Sequence, residues 1–175
     1  MKRKHTLVGI IFTSLLGTLS HFLYEWTGYN TIIGTVTPVN ESIWEHLKLL
    51  FFPVVLFSVY EYFARGKKKC FIPARTFSLF TGMFFIVSTY YTISGIVGKN
   101  IDWLNITIFF ISVIVVFILT EVLIKNCNSP SSVCIIICML LILTTSILFI
   151  IWSFYPPNLN IFIDRLTKMR GIYRI

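Results

Sequence analysis

The run VCIIICMLLILTTSILFIIWSFY, residues 133–155, decides the fold class, because no charged side chain interrupts it. About 20 apolar residues suffice to cross the hydrocarbon core of a bilayer as a helix. Pro156-Pro157 ends the run, since proline cannot continue a helical hydrogen-bond ladder. Working back along the chain, similar runs occupy 103–124, 76–97, Ile43–Ala64 and 7–26. The breaks between them are Asn126 to Ser132 with Pro130, Gly98-Lys99-Asn100, and Arg65-Gly66-Lys67-Lys68-Lys69. The reading is all-α: a polytopic membrane helix bundle with five predicted transmembrane helices. It forms one integral membrane domain over 1–175, with spans at about 7–26, 43–64, 76–97, 103–124 and 133–155.

Composition agrees. Of 175 residues 56% are hydrophobic and 13% charged, and mean hydropathy is +0.82. Soluble domains carry about 25% charged residues, and a chain this short cannot hide such an apolar excess in its own core. The net charge of +8 is placed at the flanks of the apolar runs, where bases set orientation and meet anionic lipid. Membrane lipids are therefore the expected partners, and nucleic acid is not. Cys70, Cys127, Cys134 and Cys138 form no CxxC pair, so neither a disulfide framework nor a zinc knuckle is expected.

The start, Lys2-Arg3-Lys4-His5 before an apolar run, resembles a secretory signal. The run continues through His21-Phe22-Leu23-Tyr24 without an Ala-x-Ala site, so a retained helix is expected. With the N-terminus inside, the inner flanks hold Lys2, Arg3, Lys4, Arg65, Lys67, Lys68, Lys69, Arg75 and Lys125, against Lys99 alone in the outer loops. The tail 156–175 is basic but falls outside after five spans. Leu159, Phe162, Ile163, Leu166, Met169 and Tyr173 recur at helical spacing there, which predicts an amphipathic segment on the outer leaflet. The longest polar connection, 27–39, reads as a hairpin loop or partly re-entrant segment. No internal repeat supports an inverted-repeat transporter.

Ionisable groups inside spans are costly and mark functional candidates unless a neighbour explains them. Glu61 has Arg65 one turn later and Glu121 has Lys125, so both read as boundary ion pairs. His21 and Glu25 share one face of the first helix at i, i+4 and have no such permanent cation. Counting about 1.5 Å per residue from Trp26 puts His21 roughly 7 Å below the outer interface, and His46 lies about 3 Å below Trp44. The second cluster is Asn40-Glu41-Ser42-Ile43-Trp44-Glu45-His46-Leu47-Lys48. Part of it has structural readings: Thr37 or Asn40 as a helix cap, Glu41 against the helix dipole, Trp44 as an interfacial anchor, Lys48 paired with Glu45 at i+3. Even so, two of three histidines and three of seven acids gather at one end of two neighbouring helices. Asp102 reads as the cap of the fourth helix, Asp164 as neutralising Arg165, and Pro53 as a bend in the second helix.

The segments His21-Phe22-Leu23-Tyr24-Glu25-Trp26 and Pro38-Val39-Asn40-Glu41-Ser42-Ile43-Trp44-Glu45-His46-Leu47-Lys48 resemble a bacterial family of small membrane proteins, domain-of-unknown-function family 6512. Tyr155-Pro156-Pro157, then Ile161-Phe162-Ile163-Asp164 and Gly171-Ile172, is similar to that family's ending, although Arg165 stands where the family often has proline. The resemblance implies a bacterial cytoplasmic membrane and no known activity.

Three functions compete. In the first, His21, Glu25, Glu45 and His46 supply a site for a divalent metal such as zinc, with Glu41, Glu45 and Lys48 as catalytic candidates, in a hydrolase acting on an amphiphilic or lipid-linked substrate. The second is a proton- or cation-coupled carrier using the same carboxylates. The third is a non-catalytic membrane partner or sensor in which the polar groups only lock two helices together.

Overall fold

The computed structural model describes residues 2–66, 68–98 and 101–172. The expectations that fell on Lys67, Lys99, Asn100, Tyr173 and Arg174 lie outside the described residues. The chain is all-helical: α1 (Lys2–Trp26), a single turn α2 (Thr31–Gly34), α3 (Ile43–Ala64), α4 (Phe71–Val97), α5 (Asp102–Asn126), α6 (Ser132–Phe154) and a 3₁₀ turn at Asn160–Phe162. Five of these helices are long and apolar enough to cross a membrane, and they coincide with the five runs read from the sequence. Helix α4 begins five residues earlier than expected and takes Pro73 into its first turn, where the missing amide costs no ladder bond.

Helix α3 is the centre of the bundle, packed by α1, α4, α5 and α6. Its Leu47, Leu50, Phe51, Val54 and Phe57 meet Leu79, Met83 and Ile86 of α4, Val113, Val116 and Phe117 of α5, and Phe149 of α6. Helix α6 shows the opposite extreme: its buried residues are Thr145, Phe149 and Ser153, one stripe at spacing four, and most of its isoleucines and leucines face outward. That is the pattern of a helix bathed by lipid on most of its circumference. Close approach of α1 to α3 depends on Gly17, where a Cβ would stand 2.6 Å from the Leu49 carbonyl oxygen.

The tail, whose apolar positions have helical spacing, is a folded cap with one 3₁₀ turn and no α-helix among its described residues. Pro156-Pro157 withholds amides, and Asp164 accepts from the Leu166 amide and the Thr167 hydroxyl, closing a turn. Ile163 then bridges Arg170, and Gly171, at φ 71°, returns the chain so that the Ile172 amide donates to the Ser153 carbonyl. Phe162 buries itself against Trp44 and Trp152. The loop 27–39, which joins the packed neighbours α1 and α3, holds α2, capped by the Asn30 side chain.

The cysteine reading changes. Cys70 and Cys127 form a disulfide across a sequence separation of 57, joining the entrance of α4 to the exit of α5. No local spacing signals this pair, because only the antiparallel packing of α4 on α5 brings them together. Cys134 and Cys138 remain free.

At the same end of the bundle, the two acids read as i+4 pairs form one interhelical cluster. Glu61, fully buried, takes both Arg65 and Arg75; Arg65 also pairs with Glu121, to which Thr6 donates. Arg65, not Lys125, is thus the cation that Glu121 meets. Burial alone would lower the Arg65 guanidinium, yet the carboxylates of Glu121 and Glu61 outweigh it and hold its pKa above the usual arginine value.

Candidate metal centre

At the opposite end, α1, the 35–42 segment, the first turn of α3, the start of α5 and the tail surround a cavity of about 410 Å³. Its polar lining is Thr18, His21, Glu41, His46, Asp102, Asn105 and Arg165, and its walls include Phe22, Ile106, Phe109 and Phe110. Residues from five separated segments therefore meet there. The odd number of long helices puts the tail at this end, and Asn40 fastens it by donating to the Gly171 carbonyl.

The start of α3 is set by Ser42, which is the N-cap in place of Thr37 or Asn40 and accepts from the Glu45 amide. Asn40 Oδ1 accepts from the Ser42 amide, so Asn40 organises the approach to the cap. This leaves Glu41 on the loop and His46 one turn into the helix. Asp102 likewise occupies the first position of α5, not the cap, where its charge favours the positive helix end.

His21 Nε2 and His46 Nε2 lie 3.2 Å apart. Glu41 reaches both, its Oε1 standing 3.7 Å from His21 Nε2 and its Oε2 3.4 Å from His46 Nε2. The other nitrogen of His46, Nδ1, is 2.9 Å from the Ser42 carbonyl oxygen, which only accepts. Nδ1 therefore carries a proton, which leaves Nε2 as the ring nitrogen that faces His21 and Glu41. A carbonyl holding Nδ1–H is how proteins orient imidazoles that ligate metals. Among the described residues, His21, Glu41 and His46 are the group whose ligand atoms all lie within 4.8 Å of one another.

The expected set divides. His21 and His46 come together, joined by Glu41, which the sequence reading had made a catalytic candidate and not a ligand. Glu25 is exposed on the last turn of α1, because that turn directs Tyr24 inward against Gly34 and so rotates Glu25 away. Glu45 and Lys48, expected as catalytic groups, are instead sealed in a separate polar knot, 2% and 0% exposed in their side chains. Glu45 Oε2 is 2.6 Å from Lys48 Nζ and accepts from the Val39 amide, and Oε1 accepts from Ser153. Lys48 Nζ donates to the Gly34 and Thr37 carbonyls and to Ser153 Oγ. Adjacent positions 45 and 46 diverge by about 100° around a helix, which separates the knot from the cavity.

Arg165 was not foreseen in the site. Its Nε donates to the Glu41 carbonyl at 3.1 Å, its NH2 stands 3.8 Å from Glu41 Oε2, and its guanidinium lies over the Tyr90 ring. Arg165 therefore engages Glu41, while Asp164 closes the tail turn.

Five helices able to cross a membrane, with a His-His-Glu cluster at one end of the bundle, define a polytopic helical membrane protein. The chain belongs to the family of unknown function DUF6512, whose model matches residues 1–172. No curated protein and no solved structure matches the chain.

Proposed function

We propose that His21, His46 and Glu41 hold a divalent metal, zinc by preference, in a membrane-embedded hydrolase whose site opens at the extracytoplasmic face. The observation that carries this reading is the convergence of three ligand atoms with His46 locked in the ligating tautomer. Ligands at about 2.0–2.2 Å in a tetrahedron are separated by roughly 3.3–3.6 Å. The two nitrogens are 3.2 Å apart, and Glu41 offers a different oxygen to each, Oε2 at 3.4 Å from His46 and Oε1 at 3.7 Å from His21, near that range. Two imidazoles and one carboxylate leave a coordination position for water or a substrate oxygen, and an ion there would supply Lewis acidity. Asp102, lining the same cavity, is the second carboxylate available to take up the proton that water gives when it displaces a leaving group.

A transmembrane relay has less support. Between the His-His-Glu cluster and the Glu61 cluster, α3 buries Leu50, Phe51, Val54 and Phe57, an apolar stretch. The orientation rests on the basic flanks at the other end of the bundle; the Cys70–Cys127 disulfide at that same end argues the other way, since the cytosol keeps thiols reduced.

Metal analysis of detergent-purified protein tests the reading. One zinc per chain, lost on His46→Ala and retained on Glu25→Gln, is the expected result. Absence of metal under zinc-replete conditions, or stoichiometric iron in its place, contradicts it, since iron in a two-histidine, one-carboxylate site belongs to oxygen chemistry.

A further inference from the structure

We propose that the cavity takes the phosphate headgroup of a membrane amphiphile, with Arg165 as its anchoring cation. The proposal rests on the metal reading above and names the ligand class for that site. Arginine presents a planar fork suited to phosphate oxygens. In this cavity the fork is oriented before any ligand arrives: Nε is fixed on the Glu41 carbonyl, and the guanidinium carbon sits 5.5 Å from the Tyr90 ring centroid. The remaining arms are under-used. NH1 is buried with no hydrogen-bond partner among the described residues, and NH2 is beyond hydrogen-bond range of Glu41. NH1 is closed off from solvent and so from the cavity, and the arm left for an anion is NH2, in a side chain 22% exposed.

Charge points the same way. Glu41 and Asp102 oppose Arg165 in the lining, so a divalent cation on the neutral imidazoles leaves a surplus of positive charge for an anionic ligand. The walls select an amphiphile over a free ion. Phe22 and Ile106 are half-exposed and Leu166 is largely exposed at the cavity, next to outward helix faces that are apolar. Trp26 lies about one turn beyond Phe22, at the depth where headgroups meet hydrocarbon. A phosphate at the depth of Arg165 thus has its chain beside Phe22, Ile106 and Leu166.

Calorimetry on the zinc-loaded, full-length protein in detergent, with hexyl phosphate, inorganic phosphate and hexanol as three separate ligands, tests this. Hexyl phosphate should bind at least about ten-fold tighter than either of the others, because only it engages both the fork and the apolar walls. Arg165→Gln should lower its affinity by about ten-fold or more while zinc content stays unchanged, and Arg165→Lys should fall between. Equal binding of inorganic phosphate overturns the amphiphile assignment, and equal binding of hexanol overturns the anion assignment. If Arg165→Gln also loses zinc, the three-ligand comparison on the wild-type protein decides alone. Wild-type protein that holds no zinc overturns the metal reading; zinc with no preference for hexyl phosphate overturns only this proposal.

Discussion

His21 Nε2 on α1 faces His46 Nε2 on α3 at 3.2 Å, although 25 residues and a folded loop separate them in the chain. Ligands of one ion act as a unit, so alanine at either histidine should abolish zinc binding, and the double variant should lose little more. Independent packing residues would instead show additive effects on stability. Metal content and melting temperature of the three variants separate the cases. Because protons compete for imidazole, zinc affinity should also fall as the pH is lowered.

The carboxylates should sort by location. Glu41→Gln is expected to weaken zinc binding by an order of magnitude or more, and Glu25→Gln to leave it intact. Glu45→Ala leaves Lys48 buried without its carboxylate and should cost about 3–5 kcal/mol of stability. A thermal melt alongside zinc titration distinguishes the loss of a ligand from the loss of the fold.

Gly17 lies one turn before His21, and Leu49 lies one turn after His46. A Cβ at Gly17 would stand 2.6 Å from the Leu49 carbonyl oxygen and 2.7 Å from the Phe109 ring, so Gly17→Ala must push α1 outward. The expected stability cost is about 1–3 kcal/mol, with zinc affinity falling because the histidines separate. Unchanged zinc affinity would show that the helix spacing does not set the site.

The Glu61 cluster should matter for folding and not for chemistry. Glu61 is some 15 residues along α3 from His46, about 22 Å at helical rise. Glu61→Ala strands Arg75 and leaves Arg65 with Glu121 alone, and is expected to destabilise by about 3–5 kcal/mol, with zinc still bound by whatever fraction folds. Arg65 has a raised folded pKa, so its contribution is present at all ordinary pH and is lost only above the arginine range.

Purified protein should show two alkylatable thiols when denatured without reductant, those of Cys134 and Cys138, and four after reduction. Reduction should lower stability by up to about 4 kcal/mol on chain-entropy grounds. Four thiols before reduction would show an open pair.

Hydropathy made the five long helices legible, because each must satisfy lipid along its length whatever its neighbours do. The histidine pair was legible for a related reason: burying imidazoles at a helix end without partners is costly, so they had to meet something. What fell outside that reach depends on contacts between distant segments. Spacing at i, i+4 linked His21 to Glu25 and Glu121 to Lys125, whereas loop and helix packing joined Glu41 to the histidines and Arg65 to Glu121. The tail's apolar positions have helical spacing, but its course is fixed by Pro156-Pro157, the Asp164 turn and the Gly171 contact with Asn40, none of which is visible in periodicity.

X-ray absorption at the zinc edge of the purified protein addresses the His21–His46–Glu41 centre most directly. The account predicts a first shell of two imidazole nitrogens and light oxygen donors at about 2.0–2.2 Å, and no zinc-edge signal from His46→Ala purified in the same way. A shell containing sulfur at about 2.3 Å, or a spectrum unaltered by His46→Ala, would contradict it.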